Sequence, residues 1–504
     1  MTVAIVAIIV AAGFVASGRW LRVAQREHYL GGSIIRFAFR WWKVDWVNRG
    51  LFVLGLASAV GAFWVELVGL ATAALIALAP IGLTLRGRTS KLAWTRRLRT
   101  VAAVSSVIGV GAITAGAALG APAGVAAAVV FAMPLVVDIA LWILAPVEAR
   151  LARRFVESAK ERLEQVDPVR LAITGSYGKT TIKGYLRHLV GNSRSTLATP
   201  ASFNNTAGLS RAINESLSPD IEVFIAEMGT YGPGEISKMC SWVRPTVSIL
   251  ASIGPVHLER FGNLDNVVAS KAEIFGTSRT AILNIDAHGL AGEARRLAAS
   301  GIRVMTCSEI DDSADVFCSV TEGLLRVALY GEVIVDGIEL DAAPTNVACA
   351  VAAASVLGID KADIADRLPT VPTADHRRQI LVAPSGITVI DDTYNSNPAG
   401  AAAAVATLDR IEANRKVVVT PGMVELGLRQ RPENERFAEA AARVADDLMI
   451  VSRINREALS FGARDQRATV HHVATREQAV EWVRANLTSG DAVLYENDLP
   501  DHFP

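Results

Sequence analysis

The chain has 504 residues, of which 51% are hydrophobic, 20% charged and 6% aromatic; 50 basic side chains balance 50 acidic ones, so the formal net charge is zero. Mean hydropathy is +0.32, which excludes a disordered or collagen-like chain, and the charge balance excludes a whole-protein electrostatic footprint for nucleic acid. The four cysteines (Cys240, Cys307, Cys318, Cys349) have no paired spacing, so neither a disulfide framework nor a thiolate zinc site is expected.

The apolar residues are concentrated in the first third. Residues 2–17 form an apolar run followed by Arg19, Arg22 and Arg26. A cleaved signal peptide carries its charge before the apolar core, so this order predicts an uncleaved anchor with its C-terminal end in the cytoplasm. Residues 34–46 mix Phe37, Phe39, Trp41, Trp42 and Trp46 with Arg36, Arg40 and Lys43, a pattern that suits a helix in the headgroup layer or an ordinary inter-span loop. Residues 51–85 have the length of two short spans turning near Val68 and Gly69; residues 101–147 allow two more, broken near Gly120 and Pro122. Arg86, Arg88, Lys91, Arg96, Arg97 and Arg99 separate the two hairpins, and Arg150, Arg153 and Arg154 follow the last span. About five transmembrane helices, with the N-terminus outside, put every basic segment on one side. The expectation is therefore a membrane region at residues 1–150 and a linker at 151–167. Glu66 and Asp138 are acids within apolar stretches, where each costs about 2.5–3.5 kcal/mol at a helix centre. Glu66 lies beside the predicted turn, near water. Asp138 lies deeper, where it would face a bundle interior and could meet a lipid headgroup or a partner.

From Pro168 the pattern changes to strands alternating with helices, which predicts α/β architecture built on parallel sheets. Strands are expected at 169–174, 221–226, 246–253 and 280–284, and helices at 181–190 and 345–357. A second alternating unit follows a linker around residues 371–377, with strands at 387–391, 416–420, 447–451, 469–473 and 492–495. The domains expected are a central nucleotide-binding domain at 168–375 and a Rossmann-like C-terminal domain at 376–504.

The sharpest local signal is Thr174-Gly175-Ser176-Tyr177-Gly178-Lys179-Thr180-Thr181, between a predicted strand and a predicted helix. Glycines let such a loop fold its N–H groups around phosphate oxygens, and the helix N-terminus adds its positive end. Lys179 would reach the terminal phosphates of ATP and Thr180 would hold Mg²⁺. Ile173 stands where the usual pattern has its first glycine.

This loop, with the motifs that follow it in order, resembles the Mur ligase superfamily, ATP-dependent ligases that join an amine to a carboxylate. Ser202-Phe203-Asn204-Asn205-Thr206 is similar to the family's NFNN segment, Glu227-Met228-Gly229 to its EMG motif, 253–262 to its AHLExFG segment and 270–274 to its AKxEI segment. Asp391-Asp392-Thr393-Tyr394-Asn395-Ser396-Asn397-Pro398 and Gly422-Met423-Val424-Glu425-Leu426-Gly427 resemble the DDxYNANP and GDMxELG segments of the D-alanyl-D-alanine-adding, MurF-type branch. The resemblance implies that Thr180, Glu227, His257 and Lys271 hold metal, with Lys271 carbamylated into an anion, and that Lys179, Glu227, His257 and Lys271 carry catalysis. It implies nucleotide contacts from Gly175 to Thr181, from Asn346 (where Thr345 and Cys349 replace other family residues), from Arg377 and from Asp392. It places Asn204, Asn205, Asn395 and Asn397 near substrate.

Chemically, a carboxylate accepts an amine only once its oxygen can leave; transfer of the ATP γ-phosphate makes an acyl phosphate, and metal and lysine offset the gathered negative charge.

Two departures bear on substrate. Soluble Mur ligases begin with a small domain for the uridine nucleotide, and here the predicted spans stand in its place. The KGS segment near the MurF C-terminus is replaced by Leu494-Tyr495-Glu496-Asn497-Asp498-Leu499-Pro500-Asp501, whose acids either bind a cationic amine or face solvent. The expectation is a ligase of the bacterial cytoplasmic membrane, acting in peptidoglycan or related envelope synthesis with its catalytic domain in the cytoplasm. Its partners would be ATP, an amino-acid or dipeptide amine and a carboxylate acceptor, free or lipid-linked, with no nucleic acid. Alternatives are a polyglutamate-type synthetase, an ATP-driven transporter and a non-catalytic nucleotide-binding scaffold.

Overall fold

The computed structural model describes residues 1–504 except 86, 88–90, 201–202, 257, 341, 373–378, 394–395 and 500–501. His257, Arg377, Asn395 and most of the expected linker at 371–377 therefore lie outside the described residues.

The N-terminal region is helical: α1 (Thr2–Arg26), α2 (Ser33–Lys43), α3 (Trp46–Gly61), α4 (Val68–Leu78), α5 (Arg96–Ala118), α6 (Pro122–Phe131) and α7 (Met133–Val166). Among the described residues two helices, α1 and α5, are long and apolar enough to cross a membrane, and α6 with α7, bent by 76°, makes a third if the pair is one span. The five expected spans are thus reduced to two or three. With 16 and 11 residues, α3 and α4 reach only about 24 and 17 Å at 1.5 Å per residue, short of a hydrocarbon core of about 30 Å. Glu66 sits in the turn between them and accepts a hydrogen bond from Thr2 Oγ1 at 2.7 Å.

Two buried charges organise this bundle. Arg19 on α1 donates to the carbonyls of Ile76, Ala77 and Ala79, satisfying the C-terminal end of α4. Asp138 on α7 is fully buried and does face the interior, but its partner is the protein itself. It accepts from the N–H groups of Gly32 (2.8 Å), Ile34 (3.4 Å) and Ile35 (2.9 Å), capping α2 from another helix. The segment expected as a headgroup-layer helix or an ordinary inter-span loop is a helix, and its aromatic residues pack largely inward: Phe37, Trp41 and Trp42 are buried, while Phe39 remains exposed.

Of residues 151–167, expected as a linker, all but Asp167 belong to the continuous 34-residue helix α7, which ends at Val166. Its Ala159 and Leu163 are buried in the core of the following domain, against Leu209, Ile213 and Leu217. The connection is a packed rod.

The strands are β1 (Val169–Thr174), β2 (Thr196–Ala198), β3 (Val223–Glu227), β4 (Val247–Leu250), β5 (Thr280–Asn284), β6 (Arg303–Ser308), β7 (Val316–Thr321), β8 (Leu324–Leu329), β9 (Glu332–Glu339), β10 (Gln379–Val382), β11 (Thr388–Asp392), β12 (Lys416–Thr420), β13 (Asp447–Val451), β14 (Thr469–Val473) and β15 (Ala492–Glu496). The central sheet runs β2-β3-β1-β4-β5-β6-β7-β8-β9 and the C-terminal sheet β10-β11-β15-β12-β13-β14. The central sheet is parallel through β7, then closes with an antiparallel β7-β8-β9 meander. In the C-terminal sheet only β10 runs antiparallel. The strands β1, β3, β4 and β5 are buried along nearly their whole length, as a parallel sheet covered on both faces requires. Helix α8 (Lys179–Val190) covers one face.

Helix α2 joins all three bodies. Arg40 pairs with Glu259 of the central domain, Trp41 Nε1 donates to the His502 carbonyl at 2.9 Å, and Asp45, at the α3 N-terminus, pairs with Arg453 of the C-terminal domain at 2.6 Å.

Candidate active site

The ends of β1, β3 and β4 meet at a cavity of about 370 Å³ between the central and C-terminal domains. Parallel α/β sheets place ligand sites at the carboxyl ends of their strands. The β1–α8 turn is fastened to the segment after β4. Ser252 Oγ accepts from Tyr177 N (2.8 Å) and donates to Tyr177 O (2.9 Å), while Ser176 Oγ accepts from Gly254 N at 2.9 Å. The Tyr177 ring lies on Gly254, where an added Cβ would sit 2.3 Å from it. Gly178 has φ +79°, and a Cβ there would meet Asn346 Oδ1 at 2.3 Å. Both glycines are needed for the loop to close.

Lys179 Nζ donates to Gly175 O at 2.7 Å, and Lys271 Nζ donates to the same carbonyl at 3.1 Å. Lys271, on the helix Leu264–Ala272, is 2% exposed. Burial, and then the neighbouring Lys179 charge, hold its pKa well below that of an ordinary lysine. Opposite them, Glu227 at the end of β3 is also 2% exposed. Its Oε2 accepts from Thr180 Oγ1 (3.0 Å) and Lys183 Nζ (2.8 Å), and its Oε1 from Asn204 Nδ2 (3.3 Å). Burial alone would raise its pKa, but Lys183, Lys179 and the Thr180 hydroxyl outweigh it and hold the carboxyl ionised below its usual range.

Thr180 and Glu227 are adjacent hard oxygen donors, a set that fits Mg²⁺, which keeps several waters and takes the rest of its shell from phosphates. Among the described residues no group of three or more His, Cys, Asp or Glu side chains gathers.

Of the other expected site residues, Gly175, Ser176, Tyr177, Gly178, Lys179, Thr180, Asn204 and Asn397 line the cavity. Thr181 lies in the first turn of α8, behind the lining. Asn346, in the first turn of Pro344–Val356, reaches the loop through Gly178 but is not in the lining. Asn205 caps its own helix by accepting from Gly208 N at 2.9 Å and is not in the cavity lining. Asn397 caps the helix Pro398–Arg410 in the same way and still faces the cavity. Asp392 is buried at the end of β11, outside the lining.

Sequence reasoning passed over Lys183, although it stands one turn after Lys179 on the same face of α8. It also passed over Tyr231 and Asn497, which line the cavity, and gave Glu425 no role within its motif. Of the C-terminal acids, expected either to bind a cationic amine or to face solvent, Glu496 does not face solvent. Glu496 is fully buried, accepting from Thr420 Oγ1 at 2.5 Å and from Ser396 Oγ. Asp498 pairs with Arg476 at 2.5 Å, and Asp501 lies outside the described residues.

Burial pushes the Glu496 carboxyl up to about 7; the Ser396 and Thr420 hydroxyls oppose the rise and the Asp392 charge adds to it. The folded protein therefore holds a proton here that the unfolded chain has released, and stability falls as pH rises from about 4.5 through about 7. Glu496→Gln removes that slope. Relative to the variant, wild type should lose about 3 kcal/mol between pH 5 and 8, measured by denaturant unfolding at both pH values. Parallel curves for the two proteins would contradict the assignment.

Comparison with known proteins agrees with this geometry. Residues 173–332 match the Mur ligase middle domain, and residues 376–495 match the Mur ligase, glutamate ligase domain. The UDP-N-acetylmuramoyl-tripeptide--D-alanyl-D-alanine ligase of Mycobacterium tuberculosis is 29% identical over 343 residues, covering 64% of this chain and 66% of that protein. The chain thus spans just under two thirds of that relative. A crystal structure of MurF from Acinetobacter baumannii superposes with TM-score 0.60 at 25% identity, covering 69% of this chain and 78% of that one. MurF from Thermotoga maritima, solved in complex with ADP, gives TM-score 0.58 at 23% identity, covering 69% and 80%, and shares the fold. The phosphate loop, the strand-end glutamate and two domain matches that together span more than half of the chain agree: it belongs to the Mur ligase family, the ATP-dependent, ADP-forming ligases that make amide bonds.

Proposed function

We propose that this chain is a MurF-type ligase of peptidoglycan or related envelope synthesis, held at the cytoplasmic membrane by its N-terminal helices. The observation that carries the reading is the convergence of Lys179, Thr180, Glu227 and buried Lys271 on one cavity, faced by Asn397 and Glu425 of the second domain. The acid's carboxylate oxygen attacks the γ-phosphorus and ADP leaves. The amine then attacks the acyl carbon, and phosphate leaves with the former carboxylate oxygen. Lys179 offsets charge on the transferred group. Mg²⁺, held by Thr180 and Glu227, would supply Lewis-acid neutralisation of the phosphates. By family resemblance His257 and Lys271 complete the metal set. Burial and the neighbouring Lys179 charge lower the Lys271 pKa, which favours the unprotonated amine that takes up carbon dioxide as a carbamate. Arg377 and Asp392 are assigned to the nucleotide, and Asn204, Asn205, Asn395 and Asn397 to substrate, on resemblance.

The membrane reading rests on α1, α5 and the bent α6–α7 pair. Three crossings from an external N-terminus still leave the arginines after residue 18, those before α5 and those after residue 149 on one side, with α3 and α4 returning as a hairpin that does not cross. On this reading the ligase domains lie inside, within reach of a lipid-linked acceptor as readily as a soluble one.

The test is phosphate release from ATP and Mg²⁺ by detergent-purified protein and by inside-out vesicles. UDP-N-acetylmuramoyl-tripeptide or its lipid-linked counterpart is supplied with D-Ala-D-Ala. Acceptor-dependent release in both preparations, with one addition per acceptor and a loss of at least about 100-fold in Lys179→Ala, is expected. Repeated addition of amino acids would favour a polymerase, and release without any acceptor or product would sink the ligase reading. ¹³C-bicarbonate should give a carbamate resonance that disappears in Lys271→Arg; a signal unchanged by that substitution would remove the carbamate from the account.

A further inference from the structure

A second polar cavity, about 420 Å³, lies between α2 and the ligase domains. It adjoins the nucleotide cavity through two shared lining residues, Tyr231 and Glu425. Its roof is Arg36 and Arg40 of α2, and its floor carries Arg260, with Glu259 beside it. These residues are unequal. Arg40 is paired with Glu259. Arg260 stacks on the Tyr231 ring, 4.9 Å from its centroid, and lies 3.9 Å from Glu27. Arg36 has no hydrogen bond or ion pair among the described residues; the charge nearest in effect is Asp138, whose oxygens are taken by the α2 N–H groups.

A three-substrate ligation needs room beside ATP for an acid whose carboxylate reaches the γ-phosphate while the rest of the molecule is held elsewhere. The lining sets three arginines beside four glutamates, Glu27, Glu235, Glu259 and Glu425; Glu259 is matched by Arg40, Glu27 by Arg260 and His502, and Glu235 by the Tyr231 N–H and the Thr230 hydroxyl, which leaves the Arg36 charge for a carboxylate held next to the nucleotide site. Its glutamates, two of them already set against Arg40 and Arg260, leave room for an amino group as well. The fixed arginines are pre-organised by their carboxylate partners, so their charge is aimed before ligand arrives. Asp138 sets the position of Arg36 by capping the helix that carries it.

Resting on the ligase reading above, we propose that this cavity is the acid-substrate subsite, with Arg36 of α2 binding a carboxylate of an anionic peptide beyond the one that is activated. The N-terminal helices then build part of the substrate site as well as anchoring the enzyme. The same peptide chemistry arrives on a nucleotide carrier or on a lipid carrier, and both belong in the test.

Full-length enzyme in detergent is assayed with UDP-N-acetylmuramoyl-tripeptide and, separately, with the polyprenyl-diphosphate-linked muramoyl tripeptide, as wild type, Arg36→Ala, Arg36→Gln and Arg36→Lys. With whichever carrier the wild type accepts, Arg36→Ala and Arg36→Gln should raise KM for the acid about tenfold or more. Arg36→Lys should recover part of the loss, and KM for ATP and for D-Ala-D-Ala should stay within about twofold. Fluorescent-nucleotide affinity, unchanged in all variants, checks that they fold. An unchanged acid KM, or an equal rise for the dipeptide, overturns the subsite while leaving the ligase reading intact. A wild type that accepts neither tripeptide overturns both.

Discussion

One carboxylate without solvent access sets the terms for the site. Glu227 ends a fully buried strand, and its charge is held there by Lys183, by the Thr180 hydroxyl and by the Asn204 amide. Removing one partner of a buried pair costs about 3–5 kcal/mol, because the remaining charge is stranded. Facing this anion, the Lys179 and Lys271 amines share the Gly175 carbonyl; the Lys179 charge suits a site built to receive further negative charge, and burial with that charge beside it lowers the Lys271 pKa. The register of β1 against β3 and β4, with Ile173 beside both Glu227 and Ile249, brings these groups to one edge of the sheet.

The helical region is fixed to this edge at several points. Helix α7 enters the ligase core as a rod, and α2 is capped from α7 by Asp138. Arg40 then pairs with Glu259, in the segment that follows His257, while Asp45 pairs with Arg453 in the other ligase domain. By capping the start of α2 from α7, Asp138 fixes how α2 is presented to the two ligase domains.

Much of this was legible in the sequence, and the failures have physical causes. The strands β1, β4, β5 and β11 to β15 stand out as short apolar runs between polar helices. The meander β7 to β9 alternates buried and exposed residues and was passed over, because one solvated face breaks the continuous apolar run. The span count was too high because residues 62–67 and 79–85 are apolar enough to extend a hydropathy window yet form turns around α3 and α4. Glu496 looked like a surface acid because its partners, Ser396 and Thr420, are 100 and 76 positions away in the chain. The phosphate loop was clear because its chemistry is local; the counter-ion Lys183 and the α2 roof depend on tertiary contacts.

The central claim is that the gathered positive charge activates a carboxylate as its acyl phosphate. The direct test is oxygen transfer. With muramoyl tripeptide labelled with ¹⁸O in its terminal carboxylate, and D-Ala-D-Ala as amine, each turnover should release phosphate carrying one oxygen from that carboxylate. Phosphate bearing only solvent or ATP oxygen, whatever the rate of ATP consumption, would contradict the account.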